Sequence, residues 1–216
     1  MVTISVIGID GCGKTTQCKL LVERLKDGGY EAMYVRPIYL LINLLPQFIS
    51  GKLEGCSLIS PRQISTSSAE KSKRFNTLHM FRKPVLLFFG FFYILITCLL
   101  LKFAIGKDKI VICDRYFIQF LYDLYGEKAK LILRLIPKPD IVFYINGDVD
   151  LMYSRMSQKS DRDIEKNYYN KVISFFKEIS VSNNFILINA SKNKEVVSDS
   201  IYNYSVKYLE SHGGFI

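Results

Sequence analysis

Short apolar runs punctuate the chain, and between them the hydrophobic positions step at helical spacing. The first run, Val2 to Ile7, is closed by glycines and reads as a buried strand. Lys14 to Lys26 carries Leu20, Leu21, Val22 and Leu25 and stops at Gly28-Gly29, as a helix does. Glu31 to Val35 reads as a second strand, and Lys109 to Cys113, "KIVIC", as a β-branched third that ends at Asp114. Two helices are expected next, then a fourth strand from Ile141 to Ile145, with prolines before it and Gly147 after. Asp148 can cap a helix that starts near Val149. Asp163 can cap a longer one, in which Ile164, Tyr168, Val172, Phe175 and Ile179 share a face. Phe185 to Ile188 is the last strand, and residues 194–210 form a closing amphipathic helix. Strands that alternate with helices in this way predict a doubly wound α/β fold, a five-stranded parallel sheet flanked by helices in three layers.

Two stretches depart from that rhythm. Residues 37–83 read as irregular, broken by Pro37, Pro46 and Pro61, with Ser60-Pro61 a candidate helix start. Residues 85–101, "VLLFFGFFYILITCLLL", are uncharged over about 17 positions, near the lower limit for crossing a bilayer. A single crossing would put the glycine-rich loop near residue 8 and the Asp114-Arg115 pair on opposite sides of a membrane. The expectation is therefore a helix buried in the core or in a dimer interface. Peripheral contact with lipid is the alternative, which the basic flank Lys71, Lys73, Arg74, Arg82 and Lys83 would suit.

Composition narrows the classes. A chain of 216 residues with 49% hydrophobic and 23% charged positions is expected to be one globular domain and excludes a disordered or fibrous one. Twenty-nine Lys and Arg against 20 Asp and Glu leave a net charge of +9, which suits an anionic ligand, a nucleic acid or an acidic membrane. The basic residues are dispersed and form no recognisable nucleic-acid module, so no nucleic acid is expected as a partner. The five cysteines form no CxxC, and the histidines are His79 and His212, so a zinc site is not expected. Scattered cysteines fit a reducing, cytoplasmic setting, and the N-terminus lacks the basic region of a signal peptide.

Chemistry enters with Gly8-Ile9-Asp10-Gly11-Cys12-Gly13-Lys14-Thr15, which matches G-x-x-x-x-G-K-[ST] between a strand and a helix. The glycines let backbone N–H groups point inward, and the helix adds its positive end, so the loop suits the phosphates of a nucleotide. Lys14 would reach the β- and γ-phosphates, the Thr15 hydroxyl would ligate Mg²⁺, and Cys12 is a small spacer. Asp114 closes its strand as a Walker B acid would, holding Mg²⁺ through water. No NKxD signature follows and no DxxG switch closes the third strand, which argues against a GTP-operated switch.

With the loop, "ICDRY" and "PKPDIVFYINGDVDLMYSRM" in view, the chain resembles the thymidylate kinase family across most of its length, apart from residues 37–105. The resemblance implies one P-loop NTPase domain over residues 1–216, with a substrate-side helical insert at about 37–105 and a lid at about 156–164. It implies ATP-dependent transfer to a nucleoside monophosphate, dTMP to dTDP by default, with Mg²⁺. The "DGxGKTT" segment, Asp10 to Thr16, would form the phosphate loop, with Asp10 facing the acceptor nucleotide. Arg36 and Arg115 would hold the acceptor phosphate, and Arg155 and the lid's Arg162 would offset charge on the group in transfer. Ala190 and Ser191, in "LINASKN", would pass the adenine. The family's dimerisation implies a homodimer here. Three features depart from the pattern: Val35-Arg36-Pro37 lacks the usual Glu, the 85–101 stretch replaces base-reading residues, and "YFIQFLYDLYGE" follows the Asp-Arg pair. They keep open a non-nucleotide or lipid-linked acceptor, or an ATP-binding regulatory module with little turnover.

Overall fold

The computed structural model describes residues 1–38, 76–104, 109–155 and 166–212. Its strands are β1 (Val2–Ile7), β2 (Ala32–Val35), β3 (Ile110–Asp114), β4 (Ile141–Asn146) and β5 (Ile186–Asn189). They form one parallel sheet in the order β2-β3-β1-β4-β5. Helices cover both faces of such a sheet, so its central strands must be apolar on both sides. All of β3 and the first five residues of β4 are buried accordingly. Register places Asp114 opposite Val6 and Tyr144 opposite Ile7. The segments leaving β1, β3 and β4 thus emerge side by side at one edge, where ligands of open α/β sheets bind.

The helices are α1 (Lys14–Asp27), α2 (Asn76–Ala104), α3 (Ile118–Tyr125), α4 (Ala129–Ile132), α5 (Val149–Ser154), α6 (Lys166–Ser182) and α7 (Lys194–Ser211). A single 3₁₀ turn, Gly126–Lys128, links α3 to α4. At the end of α1, Gly28 N–H donates to Arg24 O and Gly29 N–H to Lys26 O, as the glycine pair predicts. The helix is tied to α7 by an Arg24–Asp199 ion pair of 2.7 Å and by Gln17 Nε2 donating to Lys194 O at 3.0 Å. The Asp150 N–H donates to Asp148 Oδ1 at 3.4 Å, the cap expected for α5. On α6, Val172, Phe175 and Ile179 are buried as expected. Asp163 and Ile164 lie outside the described residues, as does the helix start expected at Ser60-Pro61.

The largest difference from expectation is α2. It is helical from Asn76 and runs through Pro84, inside the stretch that the residue pattern reads as irregular. A proline inside a helix removes one donor and costs about 3 kcal/mol; the long apolar helix beyond it outweighs that penalty. Gly90, Ile94, Thr97, Cys98 and Leu101 pack inward, and a Cβ at Gly90 would lie 2.6 Å from Leu124 Cδ1 on α3. Phe88, Phe89, Phe92, Ile96 and Leu99 face outward and are exposed. The 85–101 stretch is therefore core on one side only. Among the described residues, no helix is long and apolar enough to cross a membrane.

Candidate active site

The glycine loop leaves β1 and bends tightly against β4 and α5. At Gly11, with φ +81°, a Cβ would lie 2.2 Å from the Met152 carbonyl oxygen. At Gly8 it would lie 2.6 Å from the carbonyl oxygen of Ile145. No larger residue fits either place without moving backbone, whereas Gly13, the second glycine of the motif, has open space and is favoured by its left-handed φ of +91°. Gly13 opens α1 in the left-handed region, and Lys14 follows with its side chain curled back over the loop. The Lys14 ammonium is buried, donates to Ile9 O at 2.5 Å and lies 3.8 Å from Asp10 Oδ1 and 3.7 Å from Cys12 Sγ. Thr15 is half-buried and Thr16 exposed at the start of the same helix.

Asp114 is fully buried at the end of β3. Its Oδ2 accepts hydrogen bonds from the Thr15 hydroxyl and from the Tyr34 phenol, each at 2.7 Å. Arg36 Nη2 lies 3.3 Å from the same oxygen and donates to Thr15 Oγ1 at 3.3 Å. Burial, and then the hydrogen bond to the carboxylate, push the Tyr34 phenol well above its ordinary pKa, so it acts as a neutral donor. Asp114 Oδ1 is buried with no hydrogen-bond partner. An orphaned carboxylate oxygen beside a threonine hydroxyl suits a hard cation such as magnesium. Among the described residues no three His, Cys, Asp or Glu side chains gather for a metal, so phosphate and water would supply the other ligands of such an ion.

Arg115 adopts φ 60°, a left-handed conformation that costs a non-glycine residue on the order of 1–2 kcal/mol. Its N–H donates to Val6 O at 3.2 Å, extending the β1–β3 pairing, and Nη2 reaches Asp10 Oδ1 at 2.7 Å. Asp10 is buried between this guanidinium and Lys14. The turn thus swings Arg115 toward the glycine loop, where an extended continuation of β3 would carry it past.

On the other flank, Arg155 Nη1 donates to Ala190 O at 3.1 Å, joining two segments that the sequence pairs only by resemblance. Ala190 is buried, held by its N–H to Asn146 O, while Ser191 is exposed with its N–H on Asn189 Oδ1. Gly147 makes room for this turn: a Cβ there would meet that of Ala190 at 2.8 Å. The fold thus brings these residues into two contact clusters, Asp10 with Lys14 and Arg115, and Asp114 with Thr15 and Arg36, joined through the Lys14-Thr15 and Asp114-Arg115 backbone, and sets Arg155, Ala190 and Ser191 together beside them. Arg162 and the expected lid, residues 156–164, lie outside the described residues. Tyr34 is the member that residue-by-residue reading missed, because an alternating strand pattern does not say which strand lies alongside.

Comparison with known proteins agrees with the geometry. The thymidylate kinase family model matches residues 60–201. A probable thymidylate kinase of Methanocaldococcus jannaschii is 28% identical over 209 residues, covering 94% of this chain and 93% of the relative. The thymidylate kinase of Wolbachia pipientis wMel is 30% identical over 201 residues, covering 82% and 84%. Among solved structures, a deoxyadenosine kinase from M. mycoides with bound dCTP superposes with a TM-score of 0.51 at 16% identity, covering 95% of this chain and 100% of that one. That likeness shows the same kind of P-loop kinase fold. With a family match that runs from ahead of α2 into α7 and a relative at 30% identity, the chain belongs to the thymidylate kinase family.

Proposed function

We propose that the protein transfers the γ-phosphoryl group of ATP to dTMP, yielding ADP and dTDP. The observation that carries this reading is the pair of adjoining clusters, Asp10 with Lys14 and Arg115 and Asp114 with Thr15 and Arg36, at the carboxyl edge of the sheet. Family membership supports the choice of dTMP. Phosphoryl transfer asks little covalent chemistry of the protein; it needs in-line positioning and neutralised charge. The loop from Gly8 to Thr16 cradles the donor phosphates, and Lys14 turns its ammonium from Ile9 O toward them. Magnesium, held by Asp114 and Thr15, would draw negative charge from the β- and γ-phosphate oxygens. Arg36 and Arg115 hold the acceptor's phosphate, whose second ionisation lies near pH ~6. Its attacking oxygen therefore already bears charge at neutral pH, and no base has to take a proton from it. That oxygen bonds to the γ-phosphorus as the bond to the β,γ-bridging oxygen breaks, leaving the electron pair on ADP. Arg155, with Arg162 of the lid at 156–164, offsets charge on the group in transfer, while Ala190 and Ser191 pass the adenine. The lid and the insert at 37–105 belong to one kinase domain over residues 1–216.

The test is coupled ADP release with ATP and Mg²⁺ across nucleoside monophosphates and lipid extracts. Release that depends on dTMP is expected. Release only with another acceptor overturns the choice of dTMP, and tight ATP binding without any transfer overturns the enzyme.

A second copy of the chain is the proposed cover for the outer face of α2. Phe88 and Phe89 are 60% and 65% exposed there, in line with Phe92, Ile96 and Leu99. An apolar stripe of this kind is costly to leave in water. Sedimentation should give a dimer that Phe89→Glu dissociates; a monomeric wild type refutes this. The four described cysteines, Cys12, Cys18, Cys98 and Cys113, are free and buried, which supports a cytoplasmic setting.

A further inference from the structure

Arg36 contacts both groups assigned to the metal. A single nitrogen, Nη2, lies 3.3 Å from Asp114 Oδ2 and 3.3 Å from Thr15 Oγ1. Thr15 Oγ1 spends its proton on Asp114 Oδ2 at 2.7 Å, so its lone pairs face the guanidinium. A magnesium ion needs those lone pairs at about 2.0–2.1 Å, or the same space for one of its waters. Two like charges also repel strongly when they share a buried carboxylate. We propose that Arg36 and the divalent cation are alternative partners for Asp114 and Thr15, so that metal binding releases Arg36 to the acceptor phosphate. Rested on the kinase reading, this makes one side chain link the donor half of the site to the acceptor half.

Three features fit the exchange. Arg36 directly follows β2, so its backbone is anchored while its side chain, 35% exposed, can swing toward solvent. Tyr34 holds Asp114 Oδ2 from the same strand and does not depend on the cation, so the carboxylate stays aimed at Thr15 through the exchange. Asp114 Oδ1 already lacks a partner, which leaves a buried anionic oxygen on which an arriving cation can begin to bind. Linkage then runs both ways: whatever draws Arg36 away strengthens metal binding by the same factor by which metal strengthens binding of the phosphate.

The test uses Mn²⁺ as the probe, titrated into nucleotide-free full-length protein and read as free manganese by electron paramagnetic resonance. Removing the competitor in Arg36→Met should tighten Mn²⁺ binding by about tenfold, at the low end of linked-site couplings because Arg36 is partly exposed. Arg36→Lys, which keeps the charge but loses the planar fork, should fall between Arg36→Met and wild type. Asp114→Asn should abolish the binding. Circular dichroism melts confirm that each variant is folded, and Arg36→Lys carries the comparison if Arg36→Met is not. Manganese affinity that is unchanged or weaker in both Arg36 variants overturns the exchange. The dTMP assay fails separately. Tighter manganese binding without dTMP turnover keeps the exchange and discards the substrate, whereas turnover with unchanged affinity does the reverse.

Discussion

Replacing Tyr34 by Phe removes one oxygen and tests how Asp114 is held. The phenol donates to a buried carboxylate at 2.7 Å, and hydrogen bonds to charged groups contribute about 1.5–3 kcal/mol. Two effects reduce that figure here. Asp114 Oδ2 keeps Thr15 and Arg36 as partners in the variant, and Tyr34 is only half-buried, so water can replace part of the loss. A destabilisation of about 1 kcal/mol follows, equivalent to a melting point roughly 2–4 °C lower for a chain of this size. The pH dependence sharpens the test. Tyr34 in the folded protein holds its proton above the ordinary phenol pKa of 10.0, because burial and the Asp114 hydrogen bond favour the neutral form. Above about pH 10 the unfolded chain loses this proton while the folded chain keeps it, so the contribution is full below that pH and declines above it. Tyr116 and Tyr144 are raised too, but they titrate alike in both proteins and cancel in the difference. Urea denaturation should thus show a constant gap between wild type and Tyr34→Phe from pH 7 to 9, narrowing above about pH 10. No gap at pH 7, or one that widens in alkali, would refute the assigned hydrogen bond.

Lys14→Met should lower dTMP-dependent ADP release by about 10²–10³-fold, as loss of a charge-stabilising group does; near-wild-type turnover would show that the loop does not serve transfer. Gly11→Ala should add about 1–2 kcal/mol of left-handed strain besides the contact with Met152 O, lowering both the melting point and ADP affinity by calorimetry. Arg155→Ala removes an exposed side chain proposed to offset charge on the group in transfer, so kcat/KM for ATP should fall several-fold while the melting point stays within a degree or two.

The parts of the fold legible from sequence are those where burial leaves one option. A parallel sheet covered on both faces demands continuous apolar runs, and Lys109 to Cys113 or Ile141 to Ile145 can be little else. Strand starts moved by a single residue, from Glu31 to Ala32 and from Phe185 to Ile186, where hydrogen bonding and not hydrophobicity decides the boundary. The start of α2 was hidden by Pro84, since a local rule that ends helices at proline knows nothing of the long apolar segment beyond it. At the site, the glycine spacing and the Asp114-Arg115 pair identify themselves, because backbone approach and charge placement restrict residue type. Tyr34 did not, since its role depends on β2 lying beside β3, and strand order is a property of packing. For Arg36 the sequence offers a phosphate as partner, whereas the fold pairs it with an acid.

That pairing explains why a cradle for phosphates contains buried acids at all. Three cations, Lys14, Arg36 and Arg115, stand against two carboxylates, Asp10 and Asp114. Unpaired, three positive side chains packed this closely would repel one another and scatter toward solvent. The acids hold them at the loop: Asp10 draws Arg115 into a strained turn, and Asp114 draws Arg36 across Thr15. Phosphate oxygens arriving at the loop carry more charge than either carboxylate and compete for the same cations. Each cation that turns to phosphate leaves an acid needing another positive partner. At Asp10 both Lys14 and Arg115 are within reach, so one can leave while the other stays. At Asp114 the ion-pair cation among the described residues is Arg36, with neutral donors from Thr15 and Tyr34 beside it. Departure of Arg36 would therefore leave the greater deficit of positive charge at Asp114, which is the side chain where the proposed exchange places a divalent ion.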